Sequence, residues 1–281
     1  MGHSITSMAL FCDFENVALG VRDAQYAKFD IDRVLERLLL KGSIVVKKAY
    51  CDWDRYKDFK KPMHEASFEL IEIPHVKMSG KNSADIRLVV DALDLCYTKA
   101  HVDTFVIISG DSDFSPLVSK LRENNKTVIG VGVKSSTSDL LIANCDEFIF
   151  YDDLVRQEEK KSKQRARRRP AATKPATTAA GADASKTAKP EASEEDRKQQ
   201  AFDLVIDTID ALAEERDQDE KIWGSMVKQT LKRRNPGFNE SYYGFRTFSD
   251  LLEEAQNRKL LTLEADQKSG GYIIRRGPRS E

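Results

Sequence analysis

Apolar residues along this chain come in two kinds of run, and their alternation predicts the architecture. Met8 to Phe14 (Met-Ala-Leu-Phe-Cys-Asp-Phe) and Phe105 to Ile108 are almost unbroken, without the polar alternation of a strand that has one wet face. Ser43 to Tyr50, Phe68 to Ile73, Thr127 to Val133 and Glu147 to Phe150 supply further strands. Between them, apolar residues recur at helical spacing. Ile31, Val34, Leu35, Leu38 and Leu39 follow an Asp30 cap and make the first crossover helix. A basic helix carrying Arg55, Lys57, Lys60 and Lys61 is expected over Trp53 to Ala66, and another where Ile86, Val89, Val90 and Leu93 recur. Phe114 to Glu123, with Pro116 tolerated near its start, and Ser138 to Ala143 complete the set. Strands alternating with helices predict an α/β fold with a doubly wound parallel sheet, here bounded at residues 8–155.

The pattern then stops. Arg156 to Arg169 holds eight basic and two acidic residues, and Pro170 to Ser193 is rich in Ala, Thr, Pro and Lys without large apolar side chains. Such a segment cannot bury a core, so residues 156–198 are expected to be a disordered basic linker. Periodicity resumes with Phe202, Val205, Ile206, Ile209 and Leu212, followed by helical patterns over Ile222 to Leu231 and Tyr243 to Ala255. Leu260 to Leu263 and Gly271 to Ile274 can pair as a hairpin. Three helices and a hairpin over residues 199–276 predict a small winged-helix-like module.

Composition narrows the function classes. No apolar run approaches the roughly 20 residues of a membrane span, and the N-terminus lacks a basic-then-apolar signal pattern. The expectation is a cytoplasmic protein without a membrane partner. Cys12, Cys51, Cys96 and Cys145 sit in or beside apolar segments without CxxC spacing, so they read as reduced packing residues. His64, His75 and His101 show no ligand spacing. Charge is uneven: 19 basic against 24 acidic residues over 1–155, 13 against 7 over 156–200, and 13 against 15 thereafter. An acidic front domain tied to a basic middle suits a metal site served by a cationic tether.

The candidate chemistry lies where the two longest apolar runs end. Asp13 closes the first, with Glu15 and Asn16 behind it, and Asp111 and Asp113 follow the second in Ser109-Gly110-Asp111-Ser112-Asp113. In parallel sheets ligands bind beyond the carboxyl ends of strands. Asp85, in the first turn of a helix, supplies a fourth acid. Carboxylates held together raise one another's pKa unless a cation compensates, so the set argues for Mg2+ or Mn2+ held by Asp13, Asp85, Asp111 and Asp113. Each aspartate alone has an ordinary explanation as a cap, and Asp113 in particular can cap the helix at Phe114. A serine nucleophile at Ser109 or Ser112 lacks a base. No P-loop or glycine fingerprint supports nucleotide-cofactor chemistry. A haloacid-type phosphatase, whose nucleophilic aspartate also ends a first strand, would need a threonine where Ala18 and Leu19 stand. Trp53 and Tyr50 can stack on an unpaired base or pack in the core.

The order Asp13-Phe14-Glu15-Asn16, Lys81 with Asp85, then Ser109-Gly110-Asp111-Ser112-Asp113-Phe114 resembles the NYN domains of the PIN-like nuclease superfamily. The family often has Gly-Val before the central aspartate, where this chain has Ser83-Ala84. The resemblance implies a PIN-like sheet and a metal-dependent endoribonuclease, with Asp13, Asp85, Asp111 and Asp113 at the acidic positions and Asn16 assisting. Asn235-Pro236-Gly237-Phe238, Tyr243-Gly244-Phe245 and the helix with Phe248, Leu251 and Leu252 resemble the LOTUS, or OST-HTH, domain, which implies RNA binding or protein docking.

The expected partner is therefore RNA, with a protein partner or a homodimer through either domain also open. Lys57, Lys60, Lys81, Ser109 and Ser112 are the candidate substrate contacts in the first domain. Lys228, Lys232, Arg233, Arg234, Arg246, Arg275 and Arg276 are those in the second, since cations supply most non-specific nucleic-acid affinity. A solvated charged face explains the latter group equally well. The alternative to an endoribonuclease is a catalytically silent RNA-binding adaptor.

Overall fold

The computed structural model describes residues 6–73, 82–168, 194–214, 221–266 and 271–276. They form two compact units. The first is an α/β unit in the order β1 (Ser7–Asp13), α1 (Phe14–Asp23), α2 (Ile31–Leu39), β2 (Ser43–Cys51), α3 (Lys57–Glu65), β3 (Glu69–Glu72), α4 (Ser83–Thr98) and β4 (Thr104–Ile108). A 3-10 turn (Ser112–Phe114), α5 (Ser115–Glu123), β5 (Thr127–Gly132), α6 (Asp139–Asn144), β6 (Glu147–Phe150) and α7 (Tyr151–Arg168) follow.

All six strands are parallel and lie in the order β3-β2-β1-β4-β5-β6. Winding starts at the centre and runs outward in both directions, so the order reverses between β1 and β4. The unbroken apolar runs follow from burial on both faces. Met8, Leu10 and Cys12 of β1, with Val106 and Ile108 of β4, join one core with Phe14, Val17, Val34, Leu38 and Trp53. Ala9, Phe11, Phe105 and Ile107 point the other way, to Leu88, Ala92, Phe114 and Leu121. The ring of Phe14 meets Phe29, Trp53, Tyr56 and Phe59 at centroid distances of 4.9 to 5.9 Å. Trp53 and Tyr50 are core residues, closed to a base. All four cysteines are buried and free.

Several boundaries differ from the sequence pattern. Helix α1 starts directly after β1, where only a strand end is expected. The basic helix opens at Lys57, since Trp53 is held in the preceding turn: its Nε1–H donates to the Ile71 carbonyl at 3.2 Å. In α4 the buried face is Leu88, Ala92 and Cys96, while Ile86 and Val90, expected inside, are exposed. The expected linker begins within a helix, because α7 continues to Arg168. Residues 169–193 of that linker lie outside the described residues, as does Lys81.

The second unit takes in α7 from Arg156, α8 (Glu194–Glu214), β7 (Ile222–Trp223), α9 (Gly224–Arg234) up to Gln229, α10 (Phe248–Asn257), β8 (Leu261–Ala265) and β9 (Tyr272–Arg276), and the Thr230–Arg234 end of α9 groups with the first. Its sheet has the order β7-β9-β8, and the expected hairpin pairs Leu263 with Ile274. Ile222 and Trp223, expected to open a helix, form the short edge strand instead. The third helix starts at Phe248, not Tyr243, because Thr247 and Asp250 form a capping box.

Phe14→Ala should lower the unfolding free energy by about 3–5 kcal/mol, as for other buried aromatic truncations. Leu39→Ala, at a position 59% exposed, should change it by less than about 0.5 kcal/mol. Urea unfolding followed by tryptophan fluorescence measures both.

Candidate active site at the strand reversal

Asp13 is the last residue of β1, and the register that pairs Cys12 with Ile108 sets it beside Ser109. The Ser109 hydroxyl donates to Asp13 Oδ2 at 2.9 Å. The same hydroxyl accepts the Asp111 N–H at 3.2 Å. Ser109 is fully buried, so the substrate contact expected of it does not fit; it is a strut between two acidic residues. Asp13 also caps α1, its Oδ1 accepting the Asn16 N–H at 3.4 Å. The Asn16 Oδ1 in turn accepts the Gly110 N–H at 2.9 Å. Asn16 therefore ties α1 to the loop after β4, which is a positioning role.

Gly110 has a steric reason. A Cβ there would sit 2.5 Å from the Ser136 carbonyl oxygen, and its own carbonyl accepts the Ser138 N–H at 2.9 Å. The loop before α6 thus holds the loop that carries the aspartates. Asp111 is the cap of the 3-10 turn, accepting the Asp113 N–H at 3.0 Å. The helix cap that sequence offers to Asp113 does not form, since α5 has no side-chain cap and it is the preceding 3-10 turn that Asp111 caps. Asp113 is exposed and, with Ser112, borders an open cleft of ≈ 480 Å³ lined also by Ser115, Pro116, Ser119 and Leu140.

Electrostatics link the four acids. Burial is the main reason the Asp13 carboxyl is pushed up from 3.8 to about 7; the negative charges of Asp85 and Asp111 add to it, and the bonds from Ser109 and Asn16 oppose it. Asp85 is raised by its own half-burial first, then by Asp111, Asp113 and Glu15. Glu15, which had no role from sequence, thus belongs to the same acidic field and pairs with Arg55 at 3.2 Å. Among the described residues, no three or more His, Cys, Asp or Glu side chains converge to hold a metal ion. The four are electrostatic neighbours.

The expected cations are differently placed. Lys57 is exposed in the first turn of α3. Lys60 lies 3.4 Å from Asp54 and 3.9 Å from Glu72. In the second unit Lys228 pairs with Glu240 at 2.8 Å. Lys232, Arg233 and Arg234 end α9, and Arg233, Arg234 and Arg246 are exposed. Arg275 and Arg276 belong to β9.

Comparison with known proteins agrees with this layout. A family model for the NYN domain matches residues 7–152, and one for the OST-HTH/LOTUS domain matches residues 203–271. An uncharacterized protein of Methanocaldococcus jannaschii is 30% identical over 116 residues, 40% of this chain and 43% of that protein. Meiosis regulator and mRNA stability factor 1 of Xenopus tropicalis is 25% identical over 155 residues, 55% of this chain and 9% of that protein. The match thus spans less than half of either relative. A protein of unknown function from Vibrio parahaemolyticus, known by crystal structure, is 27% identical, with a TM-score of 0.49 over 55% of this chain and 98% of that one.

The raised Asp13 carboxyl has a measurable sign. The folded state keeps a proton up to about pH 7 that the unfolded chain releases near 3.8. Stability therefore falls as pH rises through that window, and the loss is complete above it. In chelator-containing buffer at about pH 8, Asp13→Asn should raise the unfolding free energy by up to about 4 kcal/mol, and the gain should shrink toward zero near pH 4. Urea titrations at several pH values measure this.

Proposed function

The chain belongs to the NYN domain family, and from that premise we propose that it is a metal-dependent endoribonuclease whose second module, of the OST-HTH/LOTUS type, binds RNA. The observation that carries this reading is the meeting of Asp13, Asp85, Asp111 and Asp113 in one acidic field at the strand reversal. That is where a doubly wound sheet binds its ligand. The NYN fold is PIN-like and nuclease-type, and such domains generally use divalent metals. The LOTUS module is an RNA-binding type. The name of the Xenopus tropicalis relative, an mRNA stability factor, agrees with RNA as substrate.

The donor set suits the group. Carboxylate oxygens are hard ligands, and the mutual repulsion that adds to burial in lifting Asp13 and Asp85 is what Mg2+ or Mn2+ relieves. Asp13, Asp85, Asp111 and Asp113 would hold it, and it would supply charge neutralisation at a phosphodiester and an acidified water. The chain's own contributions are orientation and restraint. Ser109 fixes one oxygen of Asp13 and sets the Asp111 backbone. Asn16 and Gly110 lock α1 to the loop after β4. Asp113, on the open cleft, is the member nearest solvent, and Lys57 and Ser112 are candidate contacts for the RNA backbone.

One further reading is a silent adaptor that grips RNA without cutting it, since among the described residues no three such side chains converge to hold a metal ion. One experiment separates them. With single-stranded RNA and Mn2+, the wild-type chain should cleave, and EDTA should stop it. Asp111→Asn and Asp85→Asn should each lower cleavage by on the order of a hundredfold or more while RNA affinity in a mobility-shift assay stays within about twofold. Binding without EDTA-sensitive cleavage selects the adaptor. Ser109→Ala, which removes a strut and no ligand, should raise the Mn2+ concentration needed for half-maximal cleavage by about tenfold or more.

A further inference from the structure

Helix α4 presents two apolar faces where one suffices for the core. Leu88, Ala92 and Cys96 pack inward. On another side, Ile86 is 63% exposed, Val90 55% and Tyr97 65%, with Leu93 half-buried between them. Three of the seven large apolar side chains strongly exposed among the described residues thus lie on one helix. Their spacings of four, three and four residues place them within a narrow stripe, the heptad spacing of a helix-pairing seam.

We propose that this stripe is a homodimer seam, on which a second copy of the chain packs its own α4 antiparallel. The charges beside the stripe are self-complementary in that register. Arg87 and Asp94 flank it on the same side, seven residues apart. Antiparallel pairing that sets Ile86 against Tyr97 and Val90 against Leu93 brings Arg87 of each copy toward Asp94 of the other, so a single two-fold satisfies both pairs. Parallel pairing would put Arg87 and Asp94 across the seam from their counterparts, where neither pair forms. Arg87 is 56% exposed at its side chain, so it can reach outward from the Asp91 it contacts at 3.0 Å within the helix.

Other occupants fit less well. RNA meets an acid-rich helix here, with Asp85, Asp91 and Asp94 against a single Arg87. The stretch 170–193 has no large apolar side chain to fill the stripe. The seam does not depend on whether RNA is cut, although it has a consequence for the site. Asp85 adjoins Ile86, so the two copies of Asp85 would stand about 20 Å apart along the paired helices, from the rise of 1.5 Å per residue.

Sedimentation equilibrium of the full chain tests this. The wild type should approach twice its 31.8 kDa mass at protein concentrations of about 10–100 µM, as expected for a small interface. Val90→Glu should be monomeric with an unchanged thermal melt, since the position is exposed. Arg87→Asp and Asp94→Arg should each raise the dissociation constant by about threefold to tenfold, and the double swap should restore it. A monomeric wild type, a dimer that survives Val90→Glu, or a double swap no better than the singles overturns the proposal. A monomeric wild type whose RNA affinity falls with Val90→Glu would give the stripe to unpaired bases instead, and also overturns it.

Discussion

The hydrogen bond from Ser109 to Asp13 is the point on which the site hangs. It exists because β1 and β4 are neighbours, and they are neighbours only because the chain winds outward from the centre of its sheet in both directions. Each strand delivers its acid to the same edge, and the reversal between them leaves that edge without a crossover helix over it. Ser109 then does two things with one oxygen. It donates to a carboxylate that must stay buried, and it accepts from the backbone that carries Asp111. Asn16 repeats the tie one turn along α1. Two segments distant in sequence, 13–16 and 109–111, are thereby fixed to each other by short, directional contacts before any ligand arrives.

Such an arrangement works against the stability of the fold, and the rest of the first unit offsets it. A carboxyl that is 7% exposed and lifted to about 7 is an unfavourable place for a charge. The surroundings do not relax to relieve it. Strand β1 is buried on both faces, Phe14 directly after Asp13 is held among four aromatic rings, and Gly110 packs too close to Ser136 to carry a side chain. Close packing of this kind has few alternative arrangements, so the strain stays where it is placed. Opening the Asp13 carboxylate to water would mean disturbing the packing around β1.

The fold was readable in the sequence wherever burial was complete. Strands β1, β4 and β5 have apolar side chains on both faces, and nothing else produces such runs next to helical spacing. The acids at their ends followed directly. Reading failed where one element's signal overlapped another's. Phe14, Val17 and Val21 carry a helical stripe, but it begins on the residue that ends the strand, so the run masked α1. Trp53 looked like the start of a helix because its burial comes from tertiary contacts that its neighbours do not share. In α4 the apolar spacing picks out Ile86, Val89, Val90 and Leu93, while contact with β1 and β2 buries Leu88, Ala92 and Cys96, a face set by tertiary packing rather than by hydrophobicity along the helix. The struts were illegible for a different reason. That Ser109 faces Asp13 and not a substrate depends on strand register, which no local pattern encodes.

The cations raise a related question, because several that sequence marks for RNA have carboxylate neighbours in the folded chain. Lys60 lies near Asp54 and Glu72, Lys228 against Glu240, and Lys232 near Glu147. Pairing does not remove them from a phosphate-binding role. Exposed ion pairs contribute about 0–1 kcal/mol, so exchanging a carboxylate for a phosphate loses little. What pairing changes is the resting field. A surface whose lysines are screened by acids attracts RNA weakly at a distance and holds it only on contact, whereas exposed Arg233 and Arg246 act at longer range. In the proposed RNA-binding role, long-range capture would then fall to Arg233 and Arg246 and short-range placement to the lysine side of α3. Such a division would let an acidic unit take a polyanion it would otherwise repel.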